Sequence, residues 1–238
     1  MIEFYADRTQ PLVGPVVMLP QAGSAMGGSK RPLNSYAVLR DGYSILFDAP
    51  FSWVMDGVHR LAANGHPPLA CVLSHRDLAA SGDAFADLVA EFGVSILLHP
   101  DDQATDAAKE AGVAWSDPTT GQGAAILADA ELELIHIPGH SPGSIMLHLA
   151  DEGGIVLAGD SAVGPGPEQA DQTPRLERPI GADENPGFVA DWRRTVSRLP
   201  IVAVLPLHGQ AYRAADREDF NSIVANIWRG EPMNPRKA

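Results

Sequence analysis

The 238-residue sequence contains a single cysteine, Cys71, and few basic residues. One cysteine excludes an internal disulfide and a cysteine-ligated zinc site, so any metal must be bound through histidine and acidic side chains. The chain has 17 lysine and arginine residues against 30 acidic residues, a formal charge of -13. Because this charge leaves no general basic surface for a phosphate backbone, we expect no nucleic-acid partner.

Long apolar runs are also missing. No stretch approaches the roughly 20 apolar residues that a membrane-spanning helix needs, so no membrane partner is expected. The first ten residues, MIEFYADRTQ, lack the basic and apolar regions of a secretion signal. With 45% hydrophobic residues the chain can nevertheless bury a large core. These features predict a soluble cytoplasmic protein with a single domain over residues 1–238.

Hydrophobic periodicity predicts two β-rich halves with helices between and after them. An Asp41-Gly42 hairpin joins two early strands. Further strands are predicted in LACVL, VSILLHP, ELELIHI, SIMLHL, IVLAG and IVAVLPL. Helices are predicted over residues 53–63, 85–92, 103–110, 189–199 and 220–228, and a Pro- and Gly-rich loop over residues 161–187. This order predicts an α/β fold in which two packed sheets are covered by helices.

Metal-type side chains stand at the ends of four predicted strands: His75, His140, Asp160 and His208. Imidazole nitrogens and carboxylate oxygens suit zinc, iron or manganese, and two histidines with one carboxylate leave open positions for water or substrate. Taken singly, each residue is more often a hydrogen-bonded or turn-forming side chain. The four can form a site only if their strand ends share one edge.

Other histidines fit ordinary structural positions. His99 also ends a strand, His136 and His148 lie within strands, and His59 and His66 resemble surface residues. We therefore do not expect every histidine to bind metal.

From about residue 15 to residue 215 the sequence resembles the metallo-β-lactamase superfamily, which includes glyoxalase II-like hydrolases. The resemblance rests on SYAVLRDGYSILFDAP, LSHRDLAASGD, IHIPGHSPGSIMLHL, VLAGDSAV and VLPLHG, in the order of the family's motifs. The last three are specific in combination. The resemblance implies a four-layer αβ/βα sandwich with its site along the edge between two mixed sheets.

The resemblance also implies which residues bind metal. His75 falls on the first histidine of the family motif Thr-His-x-His-x-Asp-His, His140 on the third-motif histidine, Asp160 on the bridging aspartate and His208 on the final histidine. Asp77 stands in place of the second motif histidine, Ala79 in place of its aspartate and Ala80 in place of its last histidine.

These departures predict at most one divalent metal, zinc or iron. In dinuclear members of the family, the second metal is bound by the motif aspartate, the last motif histidine, the bridging aspartate and the final histidine. The resemblance therefore implies that a second metal would keep only Asp160 and His208 here, because an alanine methyl cannot coordinate. The first would keep His75, His140 and Asp160, and Asp77 is expected to add a ligand, support the ligands or act as a displaced catalytic base; a loop-capping role is equally compatible with its position.

Three functions remain open. The first is a metal-dependent hydrolase of a small ester, thioester, lactone or amide. The second is a non-haem Fe(II) oxygenase of the persulfide dioxygenase type, which would use the same three ligands. The third is a non-catalytic binding protein that keeps the pocket without the chemistry. In the first two the partner is a small-molecule substrate.

Overall fold

Two β-sheets of seven and five strands form the centre of the fold. The computed structural model describes residues 9–21, 32–164, 166, 186–214 and 218. The predicted helix over residues 220–228 lies outside these residues, as does most of the predicted loop over residues 161–187. Within the described residues, no helix has the length and apolarity needed to cross a membrane.

The seven-stranded sheet is antiparallel at one end and parallel at the other. Its strands, in both chain order and sheet order, are β1 (Gln10–Val13), β2 (Val16–Met18), β3 (Tyr36–Arg40), β4 (Tyr43–Phe47), β5 (Pro68–Val72), β6 (Ser95–Leu97) and β7 (Trp115–Ser116). The predicted hairpin joins β3 to β4, and Gly42 adopts the positive φ of 79° that such a turn requires. From β4 onward neighbouring strands run parallel.

The five-stranded sheet is formed by the second half of the chain. Its strands are β8 (Glu133–His136), β9 (Ile145–Leu149), β10 (Ile155–Val163), β11 (Ala203–His208) and β12 (Tyr212–Arg213), in the sheet order β12, β11, β10, β9, β8. β10 pairs parallel with β11 and antiparallel with β9. Since β10 continues to Val163, residues 161–163 are strand rather than the predicted loop.

Helices connect the strands and cover the sheets. They are α1 (Met55–Ala63), α2 (Asp77–Ser81), α3 (Phe85–Phe92), α4 (Pro100–Gln103), α5 (Asp106–Glu110), α6 (Gly121–Asp129) and α7 (Pro186–Val196). The helix predicted over residues 103–110 is divided in two, because Thr105 caps α5 by accepting a hydrogen bond from the N–H of Ala108. Val89, which the pattern places on the buried face of α3, is instead 47% exposed.

Three apolar clusters lie between these layers. The central cluster joins the inner faces of the two sheets, with Phe47 and Val72 from one and Leu147 and Leu157 from the other. An outer cluster packs α1 and α3 on the seven-stranded sheet. Another packs α7, through residues such as Trp192, on the five-stranded sheet. The predicted αβ/βα sandwich is therefore confirmed.

Candidate metal centre

Side chains from both sheets meet near the ends of β5 and β11. Asp160 does not end its strand as predicted, since β10 continues to Val163. His75 lies between β5 and α2, Asp160 lies within β10, and His208 is the last residue of β11. His140 lies in the loop between β8 and β9. The two sheets are joined here by a hydrogen bond from the N–H of Ile145 to the carbonyl of Ser74.

Three of these side chains form a 2-His-1-carboxylate group. Nε2 of His75 is 3.6 Å from Oδ2 of Asp160, and Nε2 of His140 is 3.7 Å from the same oxygen. One ligand atom from each residue lies within 4.8 Å of the others. Ligands at about 2.1 Å from a tetrahedral metal are roughly 3.4 Å apart, so these separations fit a shared ion better than direct hydrogen bonds.

His208 approaches the other oxygen of the same carboxylate. Its Nε2 is 3.7 Å from Oδ1 of Asp160. That Oδ1 and the Nδ1 of His208 are both buried without a hydrogen-bond partner. A buried carboxylate oxygen that lacks a partner costs free energy, and a bound cation would compensate its charge. The residues present therefore fit a divalent metal.

Asp77 turns towards this group. It is the first residue of α2, and its Oδ2 is 3.2 Å from Nε2 of His140 although its side chain is 63% exposed. No side-chain cap is formed at the start of α2. Asp77 thus faces the site, and the capping alternative does not describe its contacts.

The pKa values of the site residues are shifted in different directions. Burial lowers the pKa of His75 and outweighs the carboxylate of Asp160, which raises it. Burial also lowers the pKa of His140, but its hydrogen bond to Asp77 and the charge of Asp160 outweigh this and raise that pKa. The hydrogen bond from His140 in turn lowers the pKa of Asp77. Asp77 is therefore a carboxylate at neutral pH.

The imidazole of His75 is held by its neighbour in the chain. Oγ of Ser74 is 2.8 Å from Nδ1 of His75, and with the proton on Nδ1 the opposite nitrogen has its lone pair free towards Asp160. The N–H of Ser74 donates a 2.7 Å hydrogen bond to Oδ1 of the buried Asp48. Burial raises the pKa of Asp48 well above its ordinary value. Asp48 and Ser74 together fix the position of His75.

Asp102 is a supporting residue that sequence reasoning missed. It is fully buried, and its carboxylate accepts hydrogen bonds from the N–H of Arg76 at 2.9 Å, the hydroxyl of Ser141 at 2.6 Å and the N–H of Gly143 at 3.0 Å. It therefore joins the loop that carries His75 to the loop that carries His140. In the sequence Asp102 stands just before the predicted helix over residues 103–110, a position that gives no signal of this role.

The two alanines of the altered motif occupy different environments on α2. Ala79 is buried within the outer apolar cluster, whereas Ala80 is exposed. Neither side chain can bind a metal. The ligand roles of His75, His140, Asp160, His208 and Asp77 stay predictions, but the structure places all five in one group.

Comparison with known proteins gives structural neighbours only. No family model matches the sequence, and no curated protein does. A metallo-β-lactamase from Erythrobacter litoralis, with β-mercaptoethanol in its active site, is 19% identical with a TM-score of 0.63, over 94% of this chain and 99% of that one. The mono-zinc form of the metallo-β-lactamase FIM-1 from Pseudomonas aeruginosa is 17% identical with a TM-score of 0.58, over 92% and 93%.

The metal-soaked flavodiiron core of Flv1 from Synechocystis is 14% identical with a TM-score of 0.61, over 93% of this chain and 60% of that one. These identities establish the architecture alone. The chain has the metallo-β-lactamase fold, as its motifs indicate.

Proposed function

We propose that the protein is a hydrolase of a small ester, thioester, lactone or amide, with one divalent metal held by His75, His140 and Asp160. The observation that carries the proposal is the buried carboxylate of Asp160, approached at 3.6 to 3.7 Å by three imidazole nitrogens. Such a group is costly without a cation. Zinc in this position would supply Lewis acidity and make water more acidic.

The protein residues have distinct roles in this proposal. His75 and His140 present Nε2 atoms 3.6 and 3.7 Å from Asp160, Ser74 holds the His75 ring, and Asp102 joins the two loops. Metal coordination through Nε2 of His140 would replace its hydrogen bond to Asp77. Asp77, a carboxylate beside His140, accepts a proton from the attacking water. His208, with Nε2 3.7 Å from Oδ1 of Asp160, would complete or support the metal shell.

Replacement of the family's motif residues by Ala79 and Ala80 supports a single metal in this group. The second ion of dinuclear members would have only Asp160 and His208 here, and two protein ligands hold an ion poorly. The neighbours include FIM-1 in a mono-zinc form, which shows that this fold can be crystallised with one zinc ion.

The test is hydrolysis by the zinc-loaded protein of a panel of p-nitrophenyl esters, acyl thioesters, lactones and amides. We expect turnover of at least one class, abolished by EDTA and by His75→Gln. Surface variant His59→Gln, whose residue pairs with Glu91, is the control and should retain full activity. Turnover that survives both EDTA and His75→Gln would contradict the proposal.

A second candidate is an Fe(II) oxygenase acting on a thiol or persulfide, and the ligand set itself favours it, because 2-His-1-carboxylate sites are common in non-haem iron oxygenases. Oxygen consumption with Fe(II) and glutathione persulfide, absent with zinc, would select this function over hydrolysis. If neither activity is found, and His75→Gln leaves the biological role intact, the non-catalytic alternative is favoured.

A further inference from the structure

A second group of two histidines and one carboxylate lies outside the centre described above. Its members are His99, Asp101 and His136, and one ligand atom from each lies within 4.8 Å of the others. Nδ1 of His99 is 3.7 Å from Oδ2 of Asp101, and Nε2 of His136 is 3.9 Å from that oxygen. These separations nearly equal those in the first group, and they are too long for hydrogen bonds.

The three residues come from both halves of the fold. His99 follows β6 of the seven-stranded sheet, and Asp101 lies in the first turn of α4. His136 is the last residue of β8, at the edge of the five-stranded sheet. The side chains of His136 and Asp101 are 38% and 56% exposed. An ion could therefore enter from solvent, and once bound it would join the two sheets.

The rings of the two histidines lie face to face. The rings of His99 and His136 stack with centroids 4.1 Å apart and an interplanar angle of 18°. Two protonated rings at this separation would repel each other. A neutral imidazole is the form that binds a metal.

Hydrogen bonds around the group define what metal binding must change. Nδ1 of His99 accepts a long 3.3 Å hydrogen bond from the N–H of Asp101, so this nitrogen carries a lone pair. Nε2 of His136 is 2.9 Å from the carbonyl of Pro142, to which it donates when it is protonated. Coordination through these nitrogens would replace both hydrogen bonds, and at His136 it would also move the proton to Nδ1.

We propose that His99, Asp101 and His136 form a second divalent-metal site, suited to zinc, whose role is to stabilise the junction between the sheets. Two imidazoles and a carboxylate match the ligand preferences of zinc, and water can complete a four-coordinate shell. Asp101 precedes Asp102, which joins the loops of the first centre. An ion here would therefore stiffen the segment that supports His75 and His140. This proposal does not depend on which reaction the first centre performs.

The test is equilibrium dialysis of the purified, metal-free protein against zinc. We expect His136→Gln to bind one equivalent of zinc fewer than the wild type, or to bind that equivalent at least tenfold more weakly. His75→Gln should keep this equivalent and His75→Gln/His136→Gln should lose it. The control is His59→Gln, which removes an exposed histidine outside both groups and should bind as the wild type does.

Thermal unfolding provides the second measurement, with each variant first shown to fold in EDTA. Zinc should raise the Tm of the His75→Gln variant and leave that of the His75→Gln/His136→Gln variant unchanged. Equal zinc stoichiometry and affinity in the wild type, His136→Gln and Asp101→Asn would overturn the proposal. So would a Tm increase that persists without His136.

Discussion

Oγ of Ser141 donates a 2.6 Å hydrogen bond to Oδ2 of Asp102, which lies 39 residues earlier in the chain. The same oxygen accepts a hydrogen bond from the N–H of Arg76, the residue after His75. One buried carboxylate thus sets the distance between the two loops that carry the candidate histidine ligands. The geometry of the centre depends on this contact as much as on the ligands themselves.

Asp102→Asn should destabilise the protein by about 2 to 3 kcal/mol, because an amide nitrogen would face an N–H or hydroxyl donor that the carboxylate now accepts. We also expect metal affinity at the first centre to fall by roughly tenfold or more. Urea unfolding and metal titration would measure the two effects. Asp106→Asn, at an exposed position of α5, should change neither. Equal behaviour of the two variants would contradict the role of Asp102.

Ala79→Asp should destabilise the metal-free protein by about 2 to 4 kcal/mol, because it buries a carboxyl group in an apolar cluster. Burial would raise the folded-state pKa of this group, so the penalty should be smaller at pH 4, where the carboxyl is protonated, than at pH 7. Ala80→Asp, at an exposed position of the same helix, should cost within about 0.5 kcal/mol. Similar losses in both variants would show that position 79 does not face the core.

Gly159→Ala should cost about 2 kcal/mol or more. Gly159 has a φ of +53°, and a Cβ added there would lie 2.4 Å from the side chain of Ser74, which supports His75. Gly42→Ala is the matched control, because its φ is +79° but no atom lies within 4 Å of the added Cβ. This control should cost about 1 kcal/mol, from backbone strain alone. If denaturant unfolding gives the same loss for both, the contact with Ser74 is not tight.

The Cys71 thiol should be unreactive in the folded protein. It is fully buried in β5, and burial raises its pKa to about 12. Modification by a thiol reagent such as Ellman's reagent should therefore be as slow as unfolding, and one thiol should react at once in guanidinium chloride. Rapid labelling under native conditions would mean that β5 opens locally.

Local sequence patterns predict much of the fold. The hairpin at Asp41 and Gly42 and the amphipathic helix α1 are both confirmed, because each is determined by neighbouring residues. Helix α6 was missed, since it begins Gly-Gln-Gly, and glycine is a poor helix former. The break between α4 and α5 was missed because a cap at Thr105 interrupts a continuous helical pattern.

Only part of the candidate site could likewise be predicted from the sequence. His75, His140, Asp160 and His208 could be selected because the family motifs mark them in the sequence. Asp102 could not, since its partners are 26 to 41 residues away and no local pattern records such contacts. The group of His99, Asp101 and His136 was missed for the same reason, because His99 follows a strand of one sheet and His136 ends a strand of the other.

The most direct measurement for the central proposal is anomalous scattering at the zinc edge, from crystals grown with zinc. We predict a peak within about 2.2 Å of Nε2 of His75, Nε2 of His140 and a carboxylate oxygen of Asp160. A peak near His99 and His136 would be a separate result, for the second site. An anomalous map from crystals grown with zinc that shows no peak between His75, His140 and Asp160 would contradict the proposed metal centre.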